Sequence, residues 1–361
     1  MTYERTLSAA RRESGLIQRV RASLLRGFPD PASPHILVAC SGGRDSVVLA
    51  HLVQQLVRMG LIRATIAHID HALRPDSADA ARMVQAFASR IGLPARVARL
   101  SADAVNRHPG MGLEEALRRE RYLALAGIAG EIAADAVALA HHQGDQAETV
   151  LLHLVRGAGL HGAAGMREWS LINVPWWVQS CGGVPLKLWR PLLPESGGQI
   201  ASWHSDHNLP LYEDSTNQDL KIRRNAIRHI VLPHLEDIVP GATANLARFA
   251  DLAAEDNEVL EGMAEERASV ERDGSLHRKV IVDAPRAIQR RIVRQWILGR
   301  MLDIELTANR IDAVCRLAKA NRSGSRVEVG GGWAVQIDRG VLSLVPALQA
   351  PCADGDVASA D

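Results

Sequence analysis

Short apolar runs and amphipathic stretches alternate through the first 155 residues. Ile36-Leu37-Val38-Ala39 is brief and partly β-branched, as a buried strand is, and Val47, Leu49, Ala50, Leu52, Val53, Leu56 and Val57 then keep a helical stripe. The same reading predicts strands over 64–69, 95–100 and 136–140, and helices over 77–91, 113–128 and 145–155. Such alternation implies right-handed βαβ units, hence an α/β fold with a doubly wound parallel sheet and its ligand beyond the carboxyl ends of the strands. From residue 157 the pattern loosens into a glycine-rich loop, with Gly157, Gly159, Gly162 and Gly165, and a tryptophan-rich stretch, 175–194, that reads as short strands or an irregular insertion. A helix follows over 222–235, interrupted near Pro233, and then helices over 242–267, 285–301 and 306–320. Alternation around Gly330-Gly331-Gly332 and Asp338-Arg339-Gly340 predicts a small β-meander over 326–345, and the tail 347–361 reads as disordered. The expected organisation is an N-terminal helix (1–32), an α/β nucleotide domain (33–220), a linker helix (221–240) and a mainly helical second domain (241–346).

Between the first strand and its helix lies SGGRDS, residues 41–46. Adjacent glycines, Gly42 and Gly43, open backbone angles closed to other residues and leave amides bare to wrap an anion at the positive end of a helix. Arg44 and Asp45 stand where a Walker A loop would need lysine. Ser41 and Ser46 add hydroxyls, and Asp45 is placed to hold a phosphate-bound magnesium ion. A turn serving chain reversal alone is the plainer alternative. A second polar strand end reads HHQGDQAET, residues 141–149, where Asp145 and Glu148 share the first helical turn. They could ligate magnesium or hold an amine, or simply cap the helix, which stabilises it by about 0.3–1 kcal/mol through the dipole. Without cysteine or spaced histidine partners, His141 and His142, like His68 and His71, are given a supporting role at most.

Composition narrows the setting. The 361 residues are 47% hydrophobic and 23% charged, enough for two or more domains with a sizeable core. With 42 basic against 41 acidic residues the net charge is only +1, so any nucleic-acid contact must use local patches. Arg118 and Arg121, the group Arg224, Asn225 and Arg228, and the helical row Arg286, Arg290, Arg291 and Arg294 are such patches, each equally readable as a solvated helix face. The four cysteines (Cys40, Cys181, Cys315, Cys352) form no CxxC pair, which argues against zinc, an iron–sulfur cluster and a disulfide framework, and fits a reducing cytoplasm. No apolar leader region and no run of about 18 apolar residues is present, against secretion and membrane insertion.

Five separated segments together carry a resemblance. SGGRDS is similar to the SGGxDS signature of PP-loop ATP pyrophosphatases, which GMP synthetases, asparagine synthetases and tRNA thiolation enzymes share. More selective is the order AHIDHALRPDS (67–77), GLEEALRRERY (112–122), AHHQGDQAETVLLHLVRGAGLHGAAGM (140–166), RPLL (190–193) and LYEDSTNQDLKIRRNAIRHIVLPHL (211–235), which resembles tRNA(Ile)-lysidine synthetases over residues 33–240. The resemblance implies a PP-loop catalytic domain that uses ATP and magnesium to adenylate the C2 oxygen of the wobble cytidine in an isoleucine tRNA with a CAU anticodon. The ε-amine of free L-lysine then replaces AMP to form lysidine. It further implies that Ser41, Gly42, Gly43, Arg44, Asp45 and Ser46 bind the ATP phosphates, that Ala39, Cys40 and His68 line the nucleotide, and that Asp45 and Asp145 hold magnesium. Asp145 and Glu148 would assist through the metal or by placing the lysine amine, and Arg118, Arg121, Arg224, Asn225 and Arg228 would meet tRNA phosphates or leaving groups.

Two departures stand out. Gly144 replaces the first acid of the family's HHxDDQAET block, and EDSTN stands for the commoner EDPSN. The chain, ending at 361, is expected to lack any further C-terminal module of larger relatives. The alternatives are another PP-loop tRNA enzyme, a cytidine thiolase, and a catalytically silent ATP-dependent tRNA-binding protein with Gly144 as the lesion. The residue that deprotonates lysine stays open, and a homodimer is carried as a candidate assembly.

Overall fold

The structure is a computed structural model that describes every residue except 1, 31–32, 71–76, 102, 109–110, 173–184, 213–217, 269–272, 301–305 and 348–361. The expected tail beyond Ala347 therefore lies outside the described residues, as do His71, all of EDSTN and part of the tryptophan-rich stretch. The chain divides into two compact units at Ala254/Glu255, within the helix Ala242–Arg267.

The first unit holds a six-stranded sheet of order β3-β2-β1-β4-β6-β5. Its strands are β1 (His35–Ala39), β2 (Arg63–Asp70), β3 (Ala95–Arg99), β4 (Ala136–Ala138), β5 (Trp169–Ile172) and β6 (Leu186–Trp189). All neighbours pair in parallel except β5, which runs antiparallel to β6 at the edge. The predicted parallel sheet is thus present with one antiparallel strand added. Helices α1 (Thr2–Gly27), α2 (Arg44–Arg58), α3 (Ser77–Ile91), α4 (Leu113–Glu131) and α5 (Gln143–Val155) intervene. The three buried central residues of β1 and all of β4 lack polar side chains because both faces of a parallel sheet are covered.

The core gathers the buried stripe of α2 (Val47 to Leu56) against Ile36, Val38 and Ile66, with Leu16, Val20 and Leu24 of α1 on the same cluster. The end of α1 is fixed to the sheet edge by tryptophans. Trp169 and Trp189 stack at 5.5 Å, Trp189 Nε1 donates to Ser23 Oγ (2.8 Å), and Trp169 Nε1 donates to the Ser23 carbonyl (3.0 Å).

The helix predicted over 222–235 is broken more finely than expected. It runs as Arg223–Ala226, one π-helical turn Ile227–Val231, and Leu232–Ile238. Pro233 has no amide hydrogen to give the His229 carbonyl, so the ladder slips to wider spacing just upstream.

In the second unit, helices Arg286–Leu298 and Ala308–Ala320 pack with Leu276, Val329, Val335, Ile337 and Leu342 in one apolar cluster. The meander is β8 (Arg326–Gly330), β9 (Trp333–Asp338) and β10 (Val341–Pro346), joined by the two-residue β7 (Leu276–His277) in the order β7-β10-β9-β8. The row of arginines is paired: Arg286 and Arg290 reach Asp312 at 3.5 and 2.7 Å, and Arg291 and Arg294 reach Glu261 at 3.7 and 3.9 Å.

Candidate active site

Strand order reverses at β1, which is flanked by β2 on one side and β4 on the other, so the crevice at this switch point is where an α/β sheet takes a ligand. Both polar turns open there. In the first, Gly42 has φ +95°, and a Cβ on it would lie 2.9 Å from Met83 Cε and 3.2 Å from Tyr212 Cβ. Tyr212 N–H also donates to the Gly42 carbonyl (3.0 Å). The turn is held from inside by Ser46, whose Oγ donates to the Gly43 carbonyl (2.8 Å) and accepts from Gly42 N–H (3.2 Å). Ser41 Oγ accepts from Gly43 N–H (3.3 Å). Gly43, the residue preceding α2, offers no side-chain cap, so the opening amides of that 15-residue helix remain for an anion.

Beneath the turn, His68 is buried and its Nδ1 contacts the Cys40 carbonyl at 2.9 Å, tying the ends of β1 and β2. Arg44 is exposed and its Nε donates to Asp45 Oδ1 (3.1 Å). Ala39 ends β1.

The second turn opens α5. His142 caps this helix: its Nδ1 accepts from Gly144 N–H and its own N–H donates to Asp145 Oδ2, both at 2.9 Å. The capping role of Asp145 is therefore realised. What adds to it is a clamp from far along the chain. Glu148, buried to 1% exposure, takes Arg224 Nε on Oε2 (2.7 Å) and Arg228 Nε on Oε1 (2.5 Å). Arg228 also donates to Asp145 Oδ1 (2.8 Å), and Arg224 lies 3.5 Å from the same oxygen. Asn225 points elsewhere, donating to the Asp219 carbonyl (3.1 Å). Hydrogen bonds to Glu148 and the charges of Glu148, Asp145 and Asp45 outweigh burial and raise the Arg228 pKa.

Burial pushes the Asp145 carboxyl up, but His142, His141, Arg224 and the His142 N–H together bring it below the ordinary value. Arg118 and Arg121 on α4 lie over the Tyr122 ring, their guanidinium carbons 5.2 and 5.6 Å from its centroid. Burial lowers the Arg121 pKa, against Tyr122 and with Arg118 and Arg224. Arg190, beyond the end of β6, is also buried, and its guanidinium donates to the Arg167 carbonyl (2.9 Å) and to Ser170 Oγ (2.8 Å).

Sequence reasoning left Tyr212 and Arg190 of RPLL out of the candidate site and gave His142 a supporting role at most; the structure places Tyr212 behind Gly42, His142 beside Asp45 and Asp145, and Arg190 within electrostatic reach of His141. For Arg190 the motif itself was the signal. For Tyr212 and His142 only the folded contacts reveal the part.

Burial above all, reinforced by Arg190, Arg224 and Arg121 and opposed by Asp145, holds the His141 pKa well below its usual 6.5. The sign follows from linkage. A histidine kept neutral in the fold contributes stability fully above its unfolded pKa, and that contribution is lost as pH falls below it, because the unfolded chain takes up the proton first. Thermal unfolding midpoints are expected to decline from pH 7 to pH 5.5, and more shallowly in His141→Gln; an equal decline in both would remove His141 as a cause.

A family model described as a PP-loop domain (ATP_bind_3) matches residues 16–235. The tRNA(Ile)-lysidine synthase of Thermus thermophilus is 37% identical over 332 residues, covering 90% of this chain and 59% of that protein. The chain thus spans about three fifths of that relative's length. The tRNA(Ile)-lysidine synthase of Gloeobacter violaceus is 33% identical over 337 residues, covering 90% of this chain and 97% of that one. Among solved structures, the U34-tRNA thiolase NcsA of Methanococcus maripaludis with its 4Fe-4S cluster aligns with TM-score 0.55 at 15% identity, over 68% of this chain and 80% of that one, a likeness of fold alone. Sequence, sheet order and the two turns agree: the chain belongs to the tRNA(Ile)-lysidine synthase family of PP-loop proteins.

Proposed function

We propose that the chain is an ATP-dependent ligase that forms lysidine at the wobble cytidine of an isoleucine tRNA with a CAU anticodon. The observation that carries this reading is the meeting, at one switch point, of a phosphate-type turn and a buried carboxylate pair, with one imidazole nitrogen within 3.6 and 3.7 Å of an acid from each. In the first step the C2 oxygen attacks the α-phosphorus of ATP and diphosphate leaves. In the second the ε-amine of free L-lysine attacks C2, loses a proton, and AMP departs with the former C2 oxygen. The amide-like oxygen leaves poorly until it is a phosphate ester, so the activated base must also be kept from water.

Ser41, Gly42, Gly43, Arg44 and Ser46 bind the phosphates through bare amides and hydroxyls at the start of α2. Ala39, Cys40 and His68 floor the nucleotide. Asp45 and Asp145, whose Oδ2 atoms converge on one point of the crevice at 3.6 and 3.7 Å from His142 Nε2, would hold a magnesium ion, Asp145 exchanging for it one of the contacts its oxygens make with His142 N–H and Arg228. Such an ion neutralises phosphate charge when bound. Glu148 has both oxygens engaged by Arg224 and Arg228, so in this arrangement it fixes those arginines, and Arg228 lies within electrostatic reach of Asp45 across the crevice. Arg118 and Arg121, with Arg190, supply further positive charge for tRNA phosphate or leaving group. The second unit is assigned to tRNA recognition, and a cytoplasmic setting suits Cys40 and Cys315, both buried free thiols. Among the described residues no helix is long and apolar enough to cross a membrane. Thiolation has no observation in its favour, since the cysteines form no CxxC pair.

Asp45→Asn keeps the shape of the turn and removes its charge. AMP release from ATP in the presence of magnesium, lysine and a CAU transcript is expected to fall by about 100-fold, the scale on which single electrostatic groups act in such sites. Unchanged AMP release would remove Asp45 from the nucleotide site.

A further inference from the structure

His142 has no part in the chemistry above, yet its surroundings constrain it closely. Because Nδ1 accepts the Gly144 N–H at 2.9 Å, the ring proton must sit on Nε2 in the neutral form. That nitrogen lies 3.6 Å from Asp45 Oδ2 and 3.7 Å from Asp145 Oδ2, carboxylates carried by the two different turns. The ring is able to lie there because residue 144 has no side chain. A Cβ at Gly144 would stand 2.7 Å from His142 Cε1, closer than carbon atoms approach one another, and 3.2 Å from Nδ1, a tight contact. The φ of Gly144 is not in the left-handed region, so the ring, rather than the backbone, calls for glycine.

We propose that His142 is a positioning residue that sets the separation of Asp45 and Asp145 across the crevice, and that Gly144 supplies the space its ring needs. This rests on the reading of those two acids as the carboxylate pair of an ATP site. At 3.6–3.7 Å the contacts exceed hydrogen-bond length, so the link is electrostatic: an N–H dipole directed between two like charges relieves their repulsion. The turns on either side of the switch point are thereby held at a fixed spacing before the nucleotide arrives, and a spacing set in advance shows in turnover more than in fold.

The competing explanation is that His142 only caps α5. Asparagine separates the two, because it is among the best N-cap residues and its side-chain oxygen can take the Gly144 N–H, while it is too short to reach the carboxylates. His142→Asn is therefore expected to keep the melting temperature, to lower kcat for tRNA-dependent AMP formation by about tenfold or more, and to weaken affinity for the magnesium complex of ATP, as loss of a group that orients active-site ligands does. Gly144→Ala displaces the ring and is expected to show a similar loss. In the double variant His142→Asn/Gly144→Ala the loss is no greater than in His142→Asn alone, since the methyl then displaces nothing that matters.

Wild-type kcat in His142→Asn, or the same factor lost to Gly144→Ala in both backgrounds, would overturn the proposal. A wild-type chain that forms no AMP would instead refute the functional reading. The four proteins are then compared by calorimetry for affinity to the magnesium complex of a non-hydrolysable ATP analogue. The non-additive pattern in affinity supports the positioning role, and additive losses or equal affinities refute it.

Discussion

Glu148→Ala is expected to destabilise the first unit by about 3 kcal/mol, the low end of the range for breaking a buried ion pair by removing one partner. Glu148 is 1% exposed and accepts from Arg224 at 2.7 Å and from Arg228 at 2.5 and 3.1 Å. Without it, the two guanidinium groups keep Asp145 as the remaining acid of the clamp, with Asp45 at longer electrostatic reach of Arg228, in a crevice already crowded by Arg121 and His141. The arginine side chains are 24% and 36% exposed, so water compensates part of the loss, which is why the low end of the range applies. Glu148→Gln keeps the shape but cannot balance either charge, and is expected to fall between wild type and alanine. Urea denaturation checks both. A loss below about 1 kcal/mol for alanine would mean the clamp behaves as an exposed ion pair.

Gly42→Ala is expected to abolish nucleotide chemistry more thoroughly than its effect on stability suggests. Its φ of +95° lies where a side chain is strained, and the added methyl would meet Met83 Cε at 2.9 Å and Tyr212 Cβ at 3.2 Å. Holding such an angle costs of order 1–3 kcal/mol, so the turn relaxes and re-aims its amides. Since a displacement of about 1 Å can lower a rate 100-fold, AMP formation is expected to drop at least that far. The contrast is Gly43→Ala. Gly43 has φ −69° and ψ 158°, ordinary extended backbone, and a Cβ there would meet only Ser41 Oγ at 3.5 Å, so its stability is expected to match wild type. If Gly42→Ala folds and turns over normally, the turn does not depend on its left-handed residue.

Local pattern made much of the molecule legible. The runs at Ile36 and Ala64 and the stripe from Val47 are burial patterns, and burial on a two-faced sheet is what the chain records at short range. SGGRDS disclosed its turn because two glycines followed by a helical stripe have few other uses. The antiparallel strand β5 and the clamp on Glu148 were not readable in the same way. Their partners lie far apart in sequence: Arg224 is 76 residues from Glu148, and Arg228 is 83 from Asp145. Charge spacing on one helix says nothing about which distant helix will face it, so Arg224 and Arg228, taken from sequence as groups for tRNA phosphates or leaving groups, first appear in the fold as partners of the acids. The π-helical turn was signalled only by Pro233, which marked an interruption but not its form. His142 was undervalued because it has no cysteine or spaced histidine partner in the sequence, and only the 2.7 Å approach shows that it and Gly144, two residues on, depend on each other.

The most direct measurement follows the base itself. A CAU-anticodon isoleucine tRNA transcript is incubated with the full chain, ATP, magnesium and isotope-labelled L-lysine, and the digested nucleosides are resolved by mass spectrometry. The expected result is one labelled nucleoside per transcript, with the mass of cytidine plus lysine less one water, in step with AMP release and absent when the wobble cytidine is changed to uridine. Unmodified cytidine in a reaction that nevertheless releases AMP would contradict lysine as the nucleophile.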